Sequence, residues 1–401
     1  MRSSRPSRVH RGRVKPLHRG DPTTEKFDLS SDTRLSKSVI DAVNSWDEPV
    51  SDDAGLGATI NYYMRNRMWK FVFVFICLIA IILVAGYTVT IGSVAITFVE
   101  AYETIWNHIT GNIIDTRFDY VIWDLRMPRV IGGIFAGAGL ATCGVVMQNA
   151  LKNPLADPYT TGVSSGGSLG ATLTVTLLGA GIGSTTGVIG AFVFALIPVG
   201  LMILITKMKD ASPTTMIMAG IGIMYVFNAI TTMLMMSAEA QTMQAIYSWQ
   251  VGTLDILKWD HIPILVSISI VGIVISMFIS GKLNVLATGD ESAKAMGINA
   301  DSLRIWCLVL VGIVSAAIVS FTGLIGFVGL VAPHITRLFI GSDNKFLIPA
   351  AAVFGGMLMI VADAIGRIVL FPEVVQVGVI MAFIGGPVFL ALLLGSKRKM
   401  W

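Results

Sequence analysis

Long stretches without a charged residue constrain this chain more than any other feature of its sequence. Stretches of at least 17 residues without Asp, Glu, Lys or Arg cover 71–99, 130–151, 158–206, 211–238, 262–281, 305–336, 346–362 and 374–396. A helix needs roughly 20 predominantly apolar residues to cross the hydrocarbon core of a bilayer. Charged residues make up 13% of the chain, against roughly 25% in a typical soluble domain. The pattern excludes a soluble globular enzyme and predicts an all-α, polytopic membrane protein.

The number of spans follows from two long stretches and from the charges at the chain ends. The stretch 158–206 is long enough for two spans, which we expect on either side of the glycine-rich residues 179–187. The stretch 305–336 fits one long span or two short ones with a turn at Phe321–Gly323. Lys/Arg clusters precede the first span and follow the last, so both termini are predicted to be cytoplasmic and the number of spans to be even. We therefore predict ten spans in a domain of residues 66–401.

The first 65 residues differ from the rest of the chain. Residues 1–20 hold seven Lys/Arg and no acid, whereas residues 21–53 hold nine Asp/Glu. Without apolar periodicity, this composition predicts a disordered arm over 1–65. A basic tail of this kind can contact anionic lipid or nucleic acid, but it is also typical of a solvated extension, and we expect no nucleic-acid partner.

Three arginines lie on the predicted outer side of the membrane, against the usual bias. From residue 65 onward, the inner segments carry 14 Lys/Arg and the outer segments five, and the exceptions include Arg126, Arg129 and Arg367. Because arginine grips a carboxylate with two hydrogen bonds, these side chains could form a docking surface for an acidic partner. They could equally pair within the chain, since Asp124 lies near Arg126 and Asp363 precedes Arg367 by four residues on one helix face.

The loop after the second span reads Lys152-Asn-Pro-Leu-Ala-Asp-Pro158. Two prolines four residues apart stop a helix and impose an irregular backbone. The loop therefore suits a gate at the cytoplasmic mouth of a pathway, or a rigid turn. Both interpretations stay open on the residues alone.

The longest inner segment between two spans, residues 281–304, contains a second candidate site. Asp290 and Glu291 are acids of the kind found at a helix start, and Gly297 is a typical terminator. The small residues Ala293 and Ala295 would let such a helix dock in a partner's groove, whereas a solvated connector is the alternative.

Several kinds of site are missing from the sequence. No G-x-x-x-x-G-K-[ST] motif occurs, so the chain does not hold ATP by a P-loop. No Cys/His spacing typical of a metal site is present, and we expect no metal and no cofactor in this chain. Ionisable residues are almost absent from the predicted spans, which speaks against a proton-coupled carrier.

Five ordered motifs together resemble one protein family. They are Arg126-Met-Pro-Arg129, Asn153-Pro-Leu-Ala-Asp-Pro158 with Gly162-Val-Ser-Ser-Gly166, Trp249-Gln-Val-Gly252, Gly326-Phe-Val-Gly-Leu-Val-Ala-Pro-His-Ile-Thr-Arg337 and Gly385-Gly-Pro-Val-Phe389. They resemble the permease subunits of the iron-siderophore, haem and vitamin B12 ABC importers, the FecCD family. The resemblance covers residues 69–396.

This resemblance implies a type II ABC importer permease with about ten transmembrane helices in the cell membrane. A second permease subunit, identical or homologous, would complete the pathway beside membrane lipid. Two ATPase subunits would bind ATP and Mg and carry out the hydrolysis, so this chain would be a transporter subunit and not an enzyme. An extracytoplasmic binding protein would deliver the metal-chelate substrate, which is an iron siderophore, haem or cobalamin. The rival hypotheses are a stand-alone secondary transporter of a metal chelate and a membrane-bound sensor or scaffold that uses the basic arm.

The resemblance also assigns candidate roles to particular residues. Those expected to receive acidic residues of the binding protein are Arg126, Arg129 and Arg367. Those expected at the cytoplasmic gate are Asn153, Leu155 and Ser212, although Pro213 departs from the small polar residue usual beside the last of these. Those expected to couple the permease to the ATPase are Asp290, Glu291, Ala293 and Gly297.

Overall fold

The computed structural model describes residues 54–92, 94–209 and 212–395, and its regular elements there are all helical. The helices are α1 (Ala54–Thr90), α2 (Phe98–Thr110), α3 (Thr116–Ala150), α4 (Val163–Leu178), α5 (Thr185–Met208), α6 (Pro213–Met236), α7 (Ala240–Val251), α8 (Ile262–Thr288), α9 (Asp290–Ala295), α10 (Ala300–Thr322), α11 (Val328–Ile340), α12 (Asn344–Ile368) and α13 (Val377–Gly395). Within α3, residues Tyr120–Arg126 form a π-helical segment.

Ten of the helices in the described part of the chain are strongly apolar. Seven are long and apolar enough to cross a membrane, namely α1, α3, α5, α6, α8, α10 and α12, and α4, α11 and α13 are shorter. Both long uncharged stretches divide into two helices. The first breaks between Leu178 and Thr185, as the glycines predicted, and the second breaks between Thr322 and Val328, just after the predicted turn. The prediction of an all-α polytopic fold is confirmed.

Helix α3 lies at the centre of the bundle, where it packs against α8, α10, α11 and α12. Its apolar stretch is 83% buried, against 17% for α1 and for α6. Glycines allow this close packing, because a Cβ atom at Gly144 would lie 1.8 Å from the carbonyl oxygen of Gly329. A Cβ atom at Gly137 would lie 2.3 Å from the carbonyl oxygen of Gly355. Small residues at helix contacts are how membrane helices bring their backbones together.

The chain divides into two units, Met1–Met64 and Arg65–Trp401, and the second contains the apolar bundle. Most of the predicted arm, residues 1–65, lies outside the described residues. The described part, residues 54–65, is the start of α1. The disordered arm stays a prediction for residues 1–53, whereas residues 54–65 are helical.

Helix α2 connects the first two spans and has one buried face and one exposed face. Its start is fixed by a capping box, in which Thr97 accepts from the Glu100 backbone and the Glu100 carboxylate accepts from the Thr97 backbone. Ala101 faces the protein and is fully buried, whereas Tyr102 and Trp106 are 42% and 66% exposed.

Candidate functional sites at the two ends of the bundle

Asp363 is the centre of a buried charge cluster where α3 begins and α12 ends, the end of the bundle predicted to be outer and called the outer end below. Its Oδ1 atom accepts hydrogen bonds from Nε and Nη2 of Arg129 at 2.8 and 2.6 Å. Its Oδ2 atom accepts from Nη2 of Arg367 at 2.6 Å. Arg129 also forms an ion pair with Asp255 in the loop after α7. One oxygen of the Asp363 carboxylate thus joins α12 to α3 through Arg129, and the other pairs with Arg367 on α12 itself.

Two arginines at this end of the bundle hold the end of α1. Arg126 donates to the carbonyl oxygens of Val89 and Val94 at 2.6 and 2.8 Å. Arg367 donates to the carbonyl oxygen of Thr88 at 3.0 Å. The last carbonyl groups of a helix have no partner within the helix, and here guanidinium groups satisfy two of them.

The predicted docking arginines are therefore paired inside the chain. Arg126, Arg129 and Arg367 are only 5%, 8% and 4% exposed, which is not the geometry of an open landing surface. The expected i,i+4 pair of Asp363 with Arg367 is present. Arg126, in contrast, bonds to backbone carbonyls, and no hydrogen bond to Asp124 occurs among the described residues. A docking role for these arginines stays a prediction.

The loop after α3 forms a compact turn at the inner end, the end predicted to be cytoplasmic. The Asn153 side-chain oxygen accepts from the backbone N–H of Leu155 at 3.0 Å, and the Asn153 carbonyl accepts from Ala156 at 3.1 Å. Leu155 is 40% exposed. Asn153 thus shapes the turn, and Leu155 presents an apolar side chain from it.

Ser212 is the N-cap of α6, where its hydroxyl accepts from the backbone N–H of Thr215 at 3.2 Å. Among the described residues, no hydrogen bond joins Ser212 to Asn153 or Leu155. The chain that follows the turn reaches α6 further along, because a Cβ atom at Gly220 would lie 2.0 Å from the carbonyl oxygen of Thr160. Asn153 and Leu155 therefore lie in one hydrogen-bonded turn, whereas Ser212 caps a separate helix.

The acid-started helix predicted between two spans is α9, and Gly297 follows it with a left-handed φ of 76°. Glu291 and Ala295 are exposed. Ala293 is 0% exposed, so the prediction that it forms a small docking face together with Ala295 is wrong. Its methyl group lies in the chain's own core because this face of α9 packs against α8 and α10.

Asp290, the first residue of α9, has partners that the sequence analysis did not identify. Its Oδ1 atom accepts from Nζ of Lys152 and, at 2.5 Å, from Nη2 of Arg304. These two cations hold the pKa of Asp290 below its usual range, and Arg304 has the larger effect. Lys152 is 138 residues from Asp290, so no local spacing reveals the contact. The one sequence feature that indicates their proximity is that all three residues lie at predicted inner ends of spans.

A cavity of about 520 Å³ opens at the outer end, between the starts of α5 and α8 and the end of α10. Val188, Ile264 and Phe321 give it an apolar wall, and Lys258 lies at its edge. None of the predicted site residues lines it. Among the described residues, no group of three His, Cys, Asp or Glu side chains could hold a metal ion.

Comparison with known proteins identifies the family. The sequence profile of the FecCD transport family matches residues 64–395, which is nearly the whole bundle. The chain belongs to the FecCD transport family. The family assignment predicted from the five motifs is thereby confirmed.

Individual relatives also match most of the chain. An Fe(3+)-citrate import system permease of Bacillus subtilis is 31% identical, over 82% of this chain and 95% of the relative. A cobalamin import system permease of Halobacterium salinarum is 35% identical, over 68% of this chain and 73% of the relative. A solved structure described as an inward-facing conformation of a putative metal-chelate type ABC transporter is 25% identical, covers 80% of this chain and 98% of that chain, and superposes with a TM-score of 0.70.

FecCD membership makes this chain the permease subunit of an ABC importer, and the similarity to the solved transporter confirms the predicted type of fold. Permeases of this class carry no cofactor and are not catalytic, because ATP is bound and hydrolysed on the separate ATPase.

Proposed function

We propose that this FecCD permease carries an iron chelate, haem or cobalamin into the cytoplasm. The observation that carries the proposal is the match of most of the chain to import permeases for iron citrate and for cobalamin, within a family profile that spans residues 64–395. These solutes are bulky metal chelates, and the similar solved transporter is of the metal-chelate type. Transport measurements with the individual solutes distinguish among them.

The proposed complex contains a second permease subunit, two ATPase subunits and an extracytoplasmic binding protein. Both termini face the cytoplasm, and the excess of Lys/Arg in the inner segments supports this orientation. Helix α9 then lies on the side of the ATPase. Its exposed residues, Glu291 and Ala295, together with Gly297 are available for contact.

The proposed cycle uses the two ends of the bundle in turn. A loaded binding protein docks at the outer end, and ATP draws the two ATPase subunits together at the inner end. Their movement displaces α9, and the gate formed by Asn153, Leu155 and Ser212 changes access to the pathway. The small, irregular turn at Asn153 and the helix start at Ser212 are places where backbone rotation requires no change inside a span.

Docking at the outer end involves Arg126, Arg129 and Arg367 in this proposal, under a condition that their burial imposes. A carboxylate of the binding protein has to reach a guanidinium that already has a partner. Asp255 is the accessible competitor, since its side chain is 47% exposed whereas that of Asp363 is 2% exposed. We therefore place the exchange at Arg129, where an incoming acid replaces Asp255.

The test is a panel of solutes offered to the reconstituted complex. The permease is co-expressed with its ATPase and binding protein and placed in proteoliposomes, and ATP hydrolysis is measured with ferric citrate, a ferric hydroxamate, hemin and cyanocobalamin in turn. The proposal predicts that one of these solutes stimulates hydrolysis and accumulates inside. A complex that responds to none of them, or that accumulates the solute equally well without ATPase subunits, contradicts it.

A further inference from the structure

Three charged side chains from separate segments meet at the inner end of the bundle. Lys152 belongs to the loop after α3, Asp290 begins α9, and Arg304 lies in the second turn of α10. Both cations donate to the same atom, Oδ1 of Asp290. We call these three residues the Asp290 link, because the carboxylate connects α9 to the loop that contains Asn153 and Leu155.

Arg304 makes the link stiff. It is 1% exposed, and its Nε atom donates to the carbonyl oxygen of Ala150, the last residue of α3, at 3.0 Å. A buried cation is costly without a carboxylate partner, and removing one member of a buried pair is strongly unfavourable. Asp301 contacts Arg304 only at 3.3 Å and is 63% exposed. A displacement of Asp290 therefore draws Arg304 and the end of α3 along with it.

The backbone of Lys152 gives independent evidence that its side chain is needed. Its φ angle is 48°, a left-handed conformation that few residues other than glycine adopt. A glycine would adopt this backbone conformation without strain. The residue at this position is nevertheless a lysine, and its ammonium group reaches Asp290. The contact of the side chain with Asp290, rather than the backbone conformation of the turn, explains why a lysine occupies position 152.

A second polar connection runs beside the first. The side chain of Asn149, near the end of α3, exchanges hydrogen bonds with Asn344 at 3.0 and 3.2 Å. The backbone N–H of Asn344 donates to the side-chain oxygen of Asn284, near the end of α8, at 2.9 Å. The inner ends of α3 and α8 are therefore held in register, and the Asp290 link adds the loop and α9 to this unit.

We propose that the Asp290 link transmits the displacement of α9 to the turn at Asn153 and Leu155, with Lys152 and Arg304 as positioning residues. This inference rests on the proposed function, because it needs an ATPase that moves α9. Without the Asp290 link, α9 can move while the turn at Asn153 and Leu155 keeps its conformation. Loss of the link then uncouples hydrolysis from transport without preventing assembly.

The test replaces Lys152, the only member of the link that is neither buried nor on α9. The variants are Lys152→Gly, which suits the backbone but lacks the ammonium group, and Lys152→Arg, which keeps the charge. Lys345→Met is the control, because Lys345 is an exposed lysine at the same end of the bundle. The measurement is the amount of solute accumulated per ATP hydrolysed in proteoliposomes, using whichever solute of the panel the wild type transports. Thermal unfolding and co-purification with the ATPase are measured in parallel.

We expect Lys152→Gly to lower solute per ATP by about fivefold, on the scale of coupling changes between linked sites. Its thermal midpoint should equal or exceed that of the wild type, and Lys152→Arg and Lys345→Met should couple normally. Wild-type coupling in Lys152→Gly overturns the inference, and so does a loss of ATPase co-purification, which would place Lys152 in docking. A wild type that transports no solute contradicts the proposed function instead, so the two failures are distinct.

Discussion

Asp363 and Asp290 have similar surroundings at opposite ends of the bundle. Each carboxylate accepts hydrogen bonds from two cationic side chains that are far from each other in the sequence. The environments differ in exposure. The side chain of Asp363 is 2% exposed, whereas that of Asp290 is 40% exposed. Exposed ion pairs contribute roughly 0–1 kcal/mol, but breaking a buried pair costs several times as much. Asp363 should therefore matter for stability, and Asp290 for the connection between segments.

Replacement of Asp363 should be strongly destabilising. Asp363→Asn leaves the buried cations Arg129 and Arg367 without a full counter-charge, so we expect the free energy of unfolding to fall by about 3–5 kcal/mol. Chemical or thermal unfolding of the purified permease in detergent measures it. Asp124→Asn, at an exposed acid of α3, is the control. Equal stability of the two variants would mean that the cluster contributes no more than a surface pair.

A substitution at Asp255 tests docking without disrupting the buried ion pairs of Asp363. If an acid of the binding protein replaces Asp255 at Arg129, Asp255→Asn removes the competitor and should speed association. The effect should fade at high salt, because the Debye length falls from about 10 Å at 0.1 M to about 3 Å at 1 M. Association of the binding protein with the permease–ATPase complex is followed across a salt series. An unchanged or slower rate at low salt would move docking away from Arg129.

Local spacing predicted some of these contacts and not others. The pair of Asp363 with Arg367 follows from a separation of four residues on one helix. The bond of Arg129 to Asp363 joins residues 234 apart in sequence, and that distance closes only because α3 packs against α12. The motif around Arg126 and Arg129 therefore marked an important position, while the partners needed the tertiary structure.

At the scale of single elements, the uncharged stretches predicted the apolar helices well because burial in lipid excludes charge along the whole span. Helix α2 was not predicted, since it is short and carries Glu100 and Glu103. Its helical form comes from a capping box at Thr97 and from docking of Ala101 against the protein. Likewise, Ala293 appeared free in sequence, and only the packing of α9 on α8 and α10 buries it.

Helix α2 should lie at the outer membrane surface. Phe98, Tyr102 and Trp106 are exposed on one side of the helix, and amphipathic aromatic side chains favour the headgroup level of a bilayer. A polarity-sensitive fluorophore on Trp106→Cys should show blue-shifted emission and strong quenching by lipids that carry a nitroxide near the headgroup. The same label on Asn107→Cys, at the partly exposed polar side of α2, should report water. Equal quenching at both positions would place α2 away from the interface.

Helix α9 should contact the ATPase through its exposed acid. Glu291→Lys reverses the charge of an exposed side chain, so it should lower co-purification of the ATPase or raise hydrolysis without uptake, while the permease itself unfolds at the wild-type temperature. Glu239→Lys, an exposed acid beyond the outer end of α6, is the matched control. Normal assembly and normal coupling in Glu291→Lys would remove α9 from the ATPase contact.

For the whole molecule, fold class and family could be predicted because membrane spans and five ordered motifs are written directly in the sequence. The burial and the partners of the site residues could not be predicted, since they depend on which helix faces pack together. The sequence alone does not distinguish a buried charged residue from an exposed one. In the bundle, Arg126 lies beneath the end of α1, whereas Glu291 lies on the surface. The solute is not readable from the chain alone, as relatives with similar bundles serve iron citrate and cobalamin.

The central claim is that this chain moves a metal chelate inward with energy from separate ATPase subunits. The most direct measurement is the initial rate of uptake of the identified solute into proteoliposomes that contain the permease and ATPase, with the loaded binding protein outside. The lumen holds either Mg-ATP or a non-hydrolysable analogue. We predict rapid accumulation with Mg-ATP and none with the analogue, whether or not an ionophore collapses ion gradients. Accumulation that persists with the analogue and disappears with the ionophore would make the chain a secondary transporter and contradict this account.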